Sequence, residues 1–289
     1  MLNNGIPVSI SLEPILQREN AISKKKYDKK RLVRLSLLAV VIAVCISFIA
    51  KLLVFLIDLI TNIAFYGNFS IEPSSPIHHS YGIFVVIVPI VGGLIVGLMA
   101  LYGSKAIRGH GIPEAMEQIL TNQSKIKPSI TYLKPLSAAI SIGTGGPFGA
   151  EGPIIATGGA LGSTLGQLIK ITPNERKILL AAGATAGMSA IFGSPLAAIL
   201  LAIELLLFEF SARSFIPVAL ACITGAAGHH LLFEEGVVFP LSFQLQPSSN
   251  YALLFYATMG IVIGLISVIV TKVVYWIEDV FEKLPIHWA

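Results

Sequence analysis

Charge is scarce in this sequence. Asp, Glu, Lys and Arg together make up 12% of its 289 residues, against about 25% in an ordinary soluble domain. With 54% hydrophobic residues the chain cannot clothe a solvated surface, which excludes a soluble globular domain and equally a disordered one. Cysteine is scarce too. Cys45 and Cys222 both lie in apolar runs, which excludes a disulfide scaffold and leaves two small buried hydrophobes. No zinc-protease stretch of the His-Glu-x-x-His type is present, and no metal or protein cofactor is expected. The nearest imitation of a metal site, His229–His230 with Glu234–Glu235, puts two adjacent histidines at a helix end, where they are poor shared ligands and read as a C-cap.

Apolar length is what the chain has instead. About 20 predominantly apolar residues cross roughly 30 Å of hydrocarbon as a helix, and the runs between Leu35 and Trp276 supply several such elements. The expected fold class is therefore all-α and polytopic. Arg18, Lys24, Lys25, Lys26, Lys29, Lys30, Arg31 and Arg34 all precede the first long run. The positive-inside rule makes this a cytoplasmic basic segment, 1–31, with a cytoplasmic N-terminus, ahead of a transmembrane domain, 32–289. A juxtamembrane topology signal accounts for the basic cluster without nucleic acid.

The first helix is predicted from Leu32 to about Phe65, roughly 50 Å long, so that it must tilt or protrude. Its Lys51 and Asp58 share a face but lie about 10 Å apart along the axis, too far for a direct ion pair, so that each finds another partner or snorkels. A second span follows from Tyr81 to Tyr102. The segments then shorten: Pro113–Leu120, Ile130–Ile142, Pro153–Ile169, Glu175–Phe192, Pro195–Phe210 and Phe215–Phe233, most of them too short to cross alone. Tyr251–Glu282 is again long enough. Helices broken at membrane depth free backbone groups that need partners, and they persist where protein or a hydrated pathway supplies them. Gly93/Gly97, Gly158/Gly162/Gly166, Gly183/Gly187 and Gly260/Gly264 have the spacing of close helix packing.

Two loops carry the chemistry. In Gly109-His110-Gly111-Ile112-Pro113-Glu114 glycines lead into a proline suited to the first turn of a helix. Such an end holds about half a positive charge and free N–H donors for an anion, although a plain turn fits the same residues. In Gly143-Thr144-Gly145-Gly146-Pro147-Phe148-Gly149-Ala150-Glu151-Gly152-Pro153 a carboxylate stands at the helix start. Glu151 reads either as a tethered competitor for a mobile anion or as a simple acidic cap.

These loops, in this order, resemble two motifs of the CLC family of voltage-gated chloride channels and chloride/proton exchangers. Gly109–Pro113 is similar to the family's Gly-Ser-Gly-Ile-Pro and Gly149–Pro153 to its Gly-Lys/Arg-Glu-Gly-Pro. Ala181–Gly187 with Gly193–Leu200 is similar to its glycine/alanine helix and Asn-Ala-Pro-Leu-Ala-Gly turn. The resemblance runs from Leu32 to the last residues. It implies a CLC-type fold of tilted and broken helices, one half of an inverted-repeat architecture. It implies too an integral membrane protein of the plasma or inner membrane, a homodimer paired through Pro195–Phe210 and Phe215–Phe233, and chloride or a similar monovalent anion as the transported ligand. The family's second half, with its Gly-x-Phe-x-Pro loop and tyrosine, is expected to be missing from this chain. A non-conducting fragment or assembly subunit is the alternative this leaves.

Residue by residue, the resemblance makes Glu151 the gate, with the amides of Ala150, Glu151 and Gly152 lining the outer anion site. It places His110, Gly111 and Ile112 at the central one. His110 replaces a serine and Ala150 a basic residue, which bears on selectivity. Pro195–Leu206 aligns without a gap, so Glu204 matches the first of the family's paired glutamates and Leu205 falls at the proton-relay position. Passive or weakly coupled conduction is expected, with exchange as the alternative if Glu204 or Glu209, one or two turns on and on a similar face, completes a proton path. Lys125, Lys127 and Lys134 form a basic connector that attracts anions or marks a cytoplasmic loop. An enzyme is not expected: an intramembrane hydrolase built on Glu151 and His110 would lack a serine or cysteine nucleophile.

Overall fold

The structure, a computed structural model, describes residues 29–109, 111–169, 171–233 and 249–283. It divides into two compact units, Met1–Glu235 and Gly236–Ala289. In the first, α1 spans Lys29–Thr61 and ends in a π-helical turn, Asn62–Tyr66. After a 3-10 turn at Gly82–Val86 come α2 (Ile87–Leu98), a π turn at Met99–Gly103 and a 3-10 turn at Lys105–Ile107. Then follow α3 (Ile112–Thr121), α4 (Ile130–Gly143), α5 (Glu151–Leu168), α6 (Pro173–Phe192) and α7 (Pro195–Leu201), which runs into a π segment, Ala202–Leu207. Helix α8 (Ala212–Leu232) closes the unit; the second unit consists, among the described residues, of α9 (Asn250–Glu282).

The chain is all-helical and membrane-spanning, with helices Lys29–Tyr66, Gly82–Gly103, Ala212–Leu232 and Tyr251–Phe281 long and apolar enough to cross a bilayer. Of the later segments, the run from Phe215 lies in a 21-residue helix, Ala212–Leu232, that reaches spanning length because Ser211 caps it four residues before the apolar run begins. The expected boundary at residue 31 likewise falls inside α1, whose first turn recruits Lys29 and Lys30.

Lipid is as apolar as Leu, so helices here are held by shape and by polar contacts rather than by expulsion of water. Helix α1 shows this. Apolar residues lie on both its faces, yet the buried apolar ones form one stripe, Leu35, Ala39, Ile42, Ala43, Ile46, Ala50 and Leu53, while Val33, Leu37, Val41, Phe48 and Leu52 are exposed. The stripe repeats every three or four residues, the period of one helix face, and its small residues let α6 and α8 approach.

Between α5 and α6 the backbones touch. A Cβ at Gly158 would collide with the Gly183 carbonyl oxygen, one at Gly183 with the Gly158 carbonyl, and one at Gly162 with the Leu179 carbonyl. The two helices therefore run antiparallel, with Glu151 at the opposite end from Glu175, about 27 Å away for 18 residues of helix. That opposite end is pinned by charge. Glu175, fully buried, caps α6 through Thr172, whose hydroxyl donates to it at 2.8 Å. It also accepts from Arg31 of α1 at 3.0 Å and faces Arg213 of α8 at 3.7 Å. One carboxylate thus gathers the starts of three helices.

Lys51 of α1 meets rings rather than Asp58: its ammonium lies 4.6 Å from the Phe55 centroid and 4.9 Å from that of Phe233, a cation–π solution to a charge in a long apolar helix. His229 is buried, its Nδ1 2.9 Å from the Ala190 carbonyl oxygen and its ring stacked on Phe233. It ties the ends of α6 and α8, whereas Glu234 and Glu235 lie outside the described residues.

Glycine spacing alone does not mark close packing. Among the described residues, nothing lies within 4 Å of a Cβ built at Gly93. Gly158→Ala should therefore push α5 from α6 and destabilise the protein by about 1–3 kcal/mol. Gly93→Ala should be neutral or stabilising by up to about 1 kcal/mol. Thermal unfolding in detergent, followed by light scattering or size exclusion, separates the two.

Candidate functional site: two helix N-termini brought together

The loops singled out in the sequence meet in space. Gly111 is the N-cap of α3, with φ of 100°, a backbone region reserved in practice for glycine. A Cβ on it would collide with the Gly152 carbonyl oxygen in the first turn of α5. Two glycines, one on each loop, thereby set the N-terminus of α3 against that of α5. The sequence could place each helix start; only the fold could make them neighbours.

At α5 the first backbone bond closed inside the helix is Ile154 N–H to the Ala150 carbonyl at 3.1 Å, and Pro153 has no N–H. The amides of Glu151 and Gly152 therefore have no backbone acceptor among the described residues, the usual state of a helix start. Glu151 itself is exposed, and its carboxylate folds back against Gly149, where a Cβ would strike it. Ala150 is half-buried behind it. Free donors and the dipole of an 18-residue helix together favour negative charge at this point, supplied by the tethered carboxylate or by a mobile anion.

At α3 the arrangement differs. Glu114, three residues inside the helix, accepts the Gly111 N–H at 2.6 Å, half of a capping box. The Gly111 amide is thus engaged by a carboxylate of the chain itself, and its contribution is the close approach to Gly152 rather than a free donor. Ile112, half-buried, contributes the next amide. His110 lies outside the described residues.

Lys134 also departs from its expected place in a basic connector. It sits within α4, 5% exposed, and donates to the carbonyl oxygens of Ile107 at 2.6 Å and Gly109 at 2.8 Å. The signal for it was a lone cation inside an apolar segment. Lys125 and Lys127, with Lys105 and Arg108, line a cavity of about 510 Å³ that borders Gly111 and Glu114, so the connector proper does bring positive charge beside the α3 loop. Its backbone is fixed by α5: the Ser163 hydroxyl accepts from Ile126 N–H at 2.9 Å and donates to the Ser124 carbonyl at 2.7 Å.

The acidic pair proposed from the alignment lies elsewhere. Glu204 and Leu205 are both exposed in the π segment after α7. The helix stops at Leu207, and Phe208 turns left-handed with φ of 54°. Glu209 is therefore off the helix, and the expected shared face with Glu204 does not exist, because the π register and the left-handed residue end the repeat.

The glycines on either side of Glu151 carry different loads. Gly111→Ala meets a fixed carbonyl and a positive φ, and should cost at least about 1–3 kcal/mol. Gly149→Ala meets only the movable end of Glu151, and should cost less than about 0.5 kcal/mol. Unfolding temperatures test the first pair of values. Carbodiimide labelling of Glu151, read by mass spectrometry, should be faster in Gly149→Ala because the carboxylate is displaced.

Residues 92–289 match the family model described as voltage gated chloride channel. A chloride channel protein of Arabidopsis thaliana, CLC-f, is 26% identical over 211 residues, covering 68% of this chain and 26% of that protein. An H+/Cl− exchange transporter of Yersinia pestis, ClcA, is 31% identical over 181 residues, covering 61% of this chain and 37% of the transporter. Among solved structures, a slow cyanobacterial Cl−/H+ antiporter superposes with a TM-score of 0.71 at 20% identity, over 87% of this chain and 59% of that one. A CLC-type fluoride/proton antiporter gives 0.60 at 21% identity, over 83% and 57%. The fold is thus shared with antiporters, and the chain spans less than half the length of these two curated relatives. With the family model covering more than half of its residues, this chain belongs to the CLC family of voltage-gated chloride channels and transporters.

Proposed function

We propose that this chain carries an anion pathway of the CLC type, taking chloride or a similar monovalent anion, in which the carboxylate of Glu151 is the gate. The observation that carries this reading is the placement of Glu151: exposed, folded back on Gly149, and tethered at a helix start whose amides at 151 and 152 have no backbone acceptor among the described residues. A carboxylate there occupies the ground an anion would take, and its displacement or protonation opens it. Ala150, Glu151 and Gly152 would bind the outer anion through their amides. Ile112, with His110 and Gly111 in the loop before it, would face the inner one. In this reading the N-terminus is cytoplasmic, the exposed apolar residues Leu196 and Leu200 of α7 and Ile223 of α8 belong to a homodimer surface, and transport needs neither cofactor nor enzymatic step.

Leu205 at the alignment position of a proton relay favours conduction with weak or no proton coupling, since leucine carries no proton. Exchange is the second reading. It is favoured by the 31% identity to a protein named as an H+/Cl− exchange transporter, and would use Glu204 or Glu209.

The test is chloride efflux from liposomes with external chloride and pH recorded together. Because the relatives are longer, the chain is assayed alone and co-expressed with the C-terminal half of the Yersinia transporter. Glu151→Ala should raise chloride flux about two- to fivefold, the factor for removing a carboxylate–dipole interaction of 0.3–1 kcal/mol, without proton movement. Stoichiometric proton flux would favour exchange. Silence in both arms, and in both variants, would favour a non-conducting assembly subunit.

A further inference from the structure

The two loops that meet at Gly111 and Gly152 each fold a glutamate back on a glycine, and Glu114 has a cationic neighbour in Lys134. Glu151 rests against Gly149. Glu114 rests against Gly109, where a Cβ would collide with its Oε1, while its Oε2 takes the Gly111 N–H at 2.6 Å. Glu114 is electrostatically coupled to Lys134, whose buried ammonium holds the Ile107 and Gly109 carbonyls at 2.6 and 2.8 Å.

Ile107, Gly109 and Gly111 are therefore gripped from both sides. Carbonyls on one side turn to a cation from α4, and an N–H on the other turns to an anion from α3. An isolated ammonium at this depth would be costly, and the two carbonyls with the Glu114 charge are what keep it. Nothing in the gating of Glu151 calls for this pair. Its effect is on the loop: it holds the glycines at positive φ, 92° at Gly109 and 100° at Gly111, in a shape that lets Gly111 seat against Gly152.

Resting on the anion reading above, we propose that Lys134 and Glu114 are a positioning pair for the anion site. They clamp Ile107, Gly109 and Gly111 against the start of α5, and they keep the carboxylate of α3 fixed while that of Glu151 moves. Lys134 touches no anion; it acts through the loop. Removing its charge frees Glu114 to wander over the neighbouring amides, where it competes with the mobile anion.

Three variants test this in the full chain in detergent: Lys134→Met, Glu114→Gln, and the two together. The double variant leaves no uncompensated buried charge, so it folds even where Lys134→Met alone does not. Hydrogen exchange reads the clamp, and chloride titration by calorimetry reads the site. The expected result is faster exchange at 107–115 in each variant, with 173–180 unchanged. Chloride affinity should be weaker on the order of tenfold, the scale seen when a supporting partner of a ligand group is lost. In a merely structural role the unfolding temperature falls while affinity stays, and that result would overturn the proposal, as would unchanged exchange at 107–115. A parent chain that binds no chloride would count against the anion reading itself, and the clamp would then stand or fall on the exchange data alone.

Discussion

Everything at the site depends on one backbone contact, Gly111 against the carbonyl of Gly152. Helix starts leave N–H groups without intrahelical partners. Bringing two such starts together concentrates those donors in one place, which in the proposed reading is ground on which an anion is stable. The approach is possible because Gly111 has no side chain to meet that carbonyl, and because α5 is itself held in place by backbone contact with α6 through Gly158 and Gly183. The line of support runs further, to Glu175 and the arginines of α1 and α8 at the far end of α6. A charge cluster at one rim and a glycine seam along α5 and α6 thus fix the height at which the α5 start is presented.

Two glutamates on neighbouring helix starts behave differently because their surroundings differ. Both are suited by the dipole. Glu114 has an amide and the field of Lys134 to hold it; Glu151 has a glycine to lean on and no hydrogen bond among the described residues. In the proposed function, a carboxylate that neutralises its own helix end while keeping its freedom serves as the gate. In this account the specificity of the site comes from the fixed loop, and its control from the loose one.

Much of this was legible in the amino-acid order. The broken helices between 112 and 207 appear where glycine and proline interrupt the apolar runs, and α5 and α6 start within two residues of the segments read from Pro153 and Glu175. Close packing at Gly158 and Gly183 was readable as spacing, yet Gly93 belongs to a pair of the same spacing and, among the described residues, nothing lies within 4 Å of a Cβ built on it. Spacing names a face, and only the fold decides what covers it. Lys134 was misread for a related reason. Three lysines at 125, 127 and 134 look like one basic stretch, but the last falls on the inner face of α4, against carbonyls 25 and 27 residues earlier. The loss of helical register after Leu207 was likewise hidden, because a π turn and a left-handed Phe208 leave no composition signal in an apolar run.

Anomalous diffraction from crystals of the chain soaked in bromide tests the central claim most directly, since bromide is an anion of the proposed class and can be located by its scattering. The account predicts a bromide peak in contact with the amides of Glu151 and Gly152, close to Gly111, that strengthens in Glu151→Ala as the tethered carboxylate is removed. Bromide found elsewhere, with none between the starts of α3 and α5 in either protein, would contradict it.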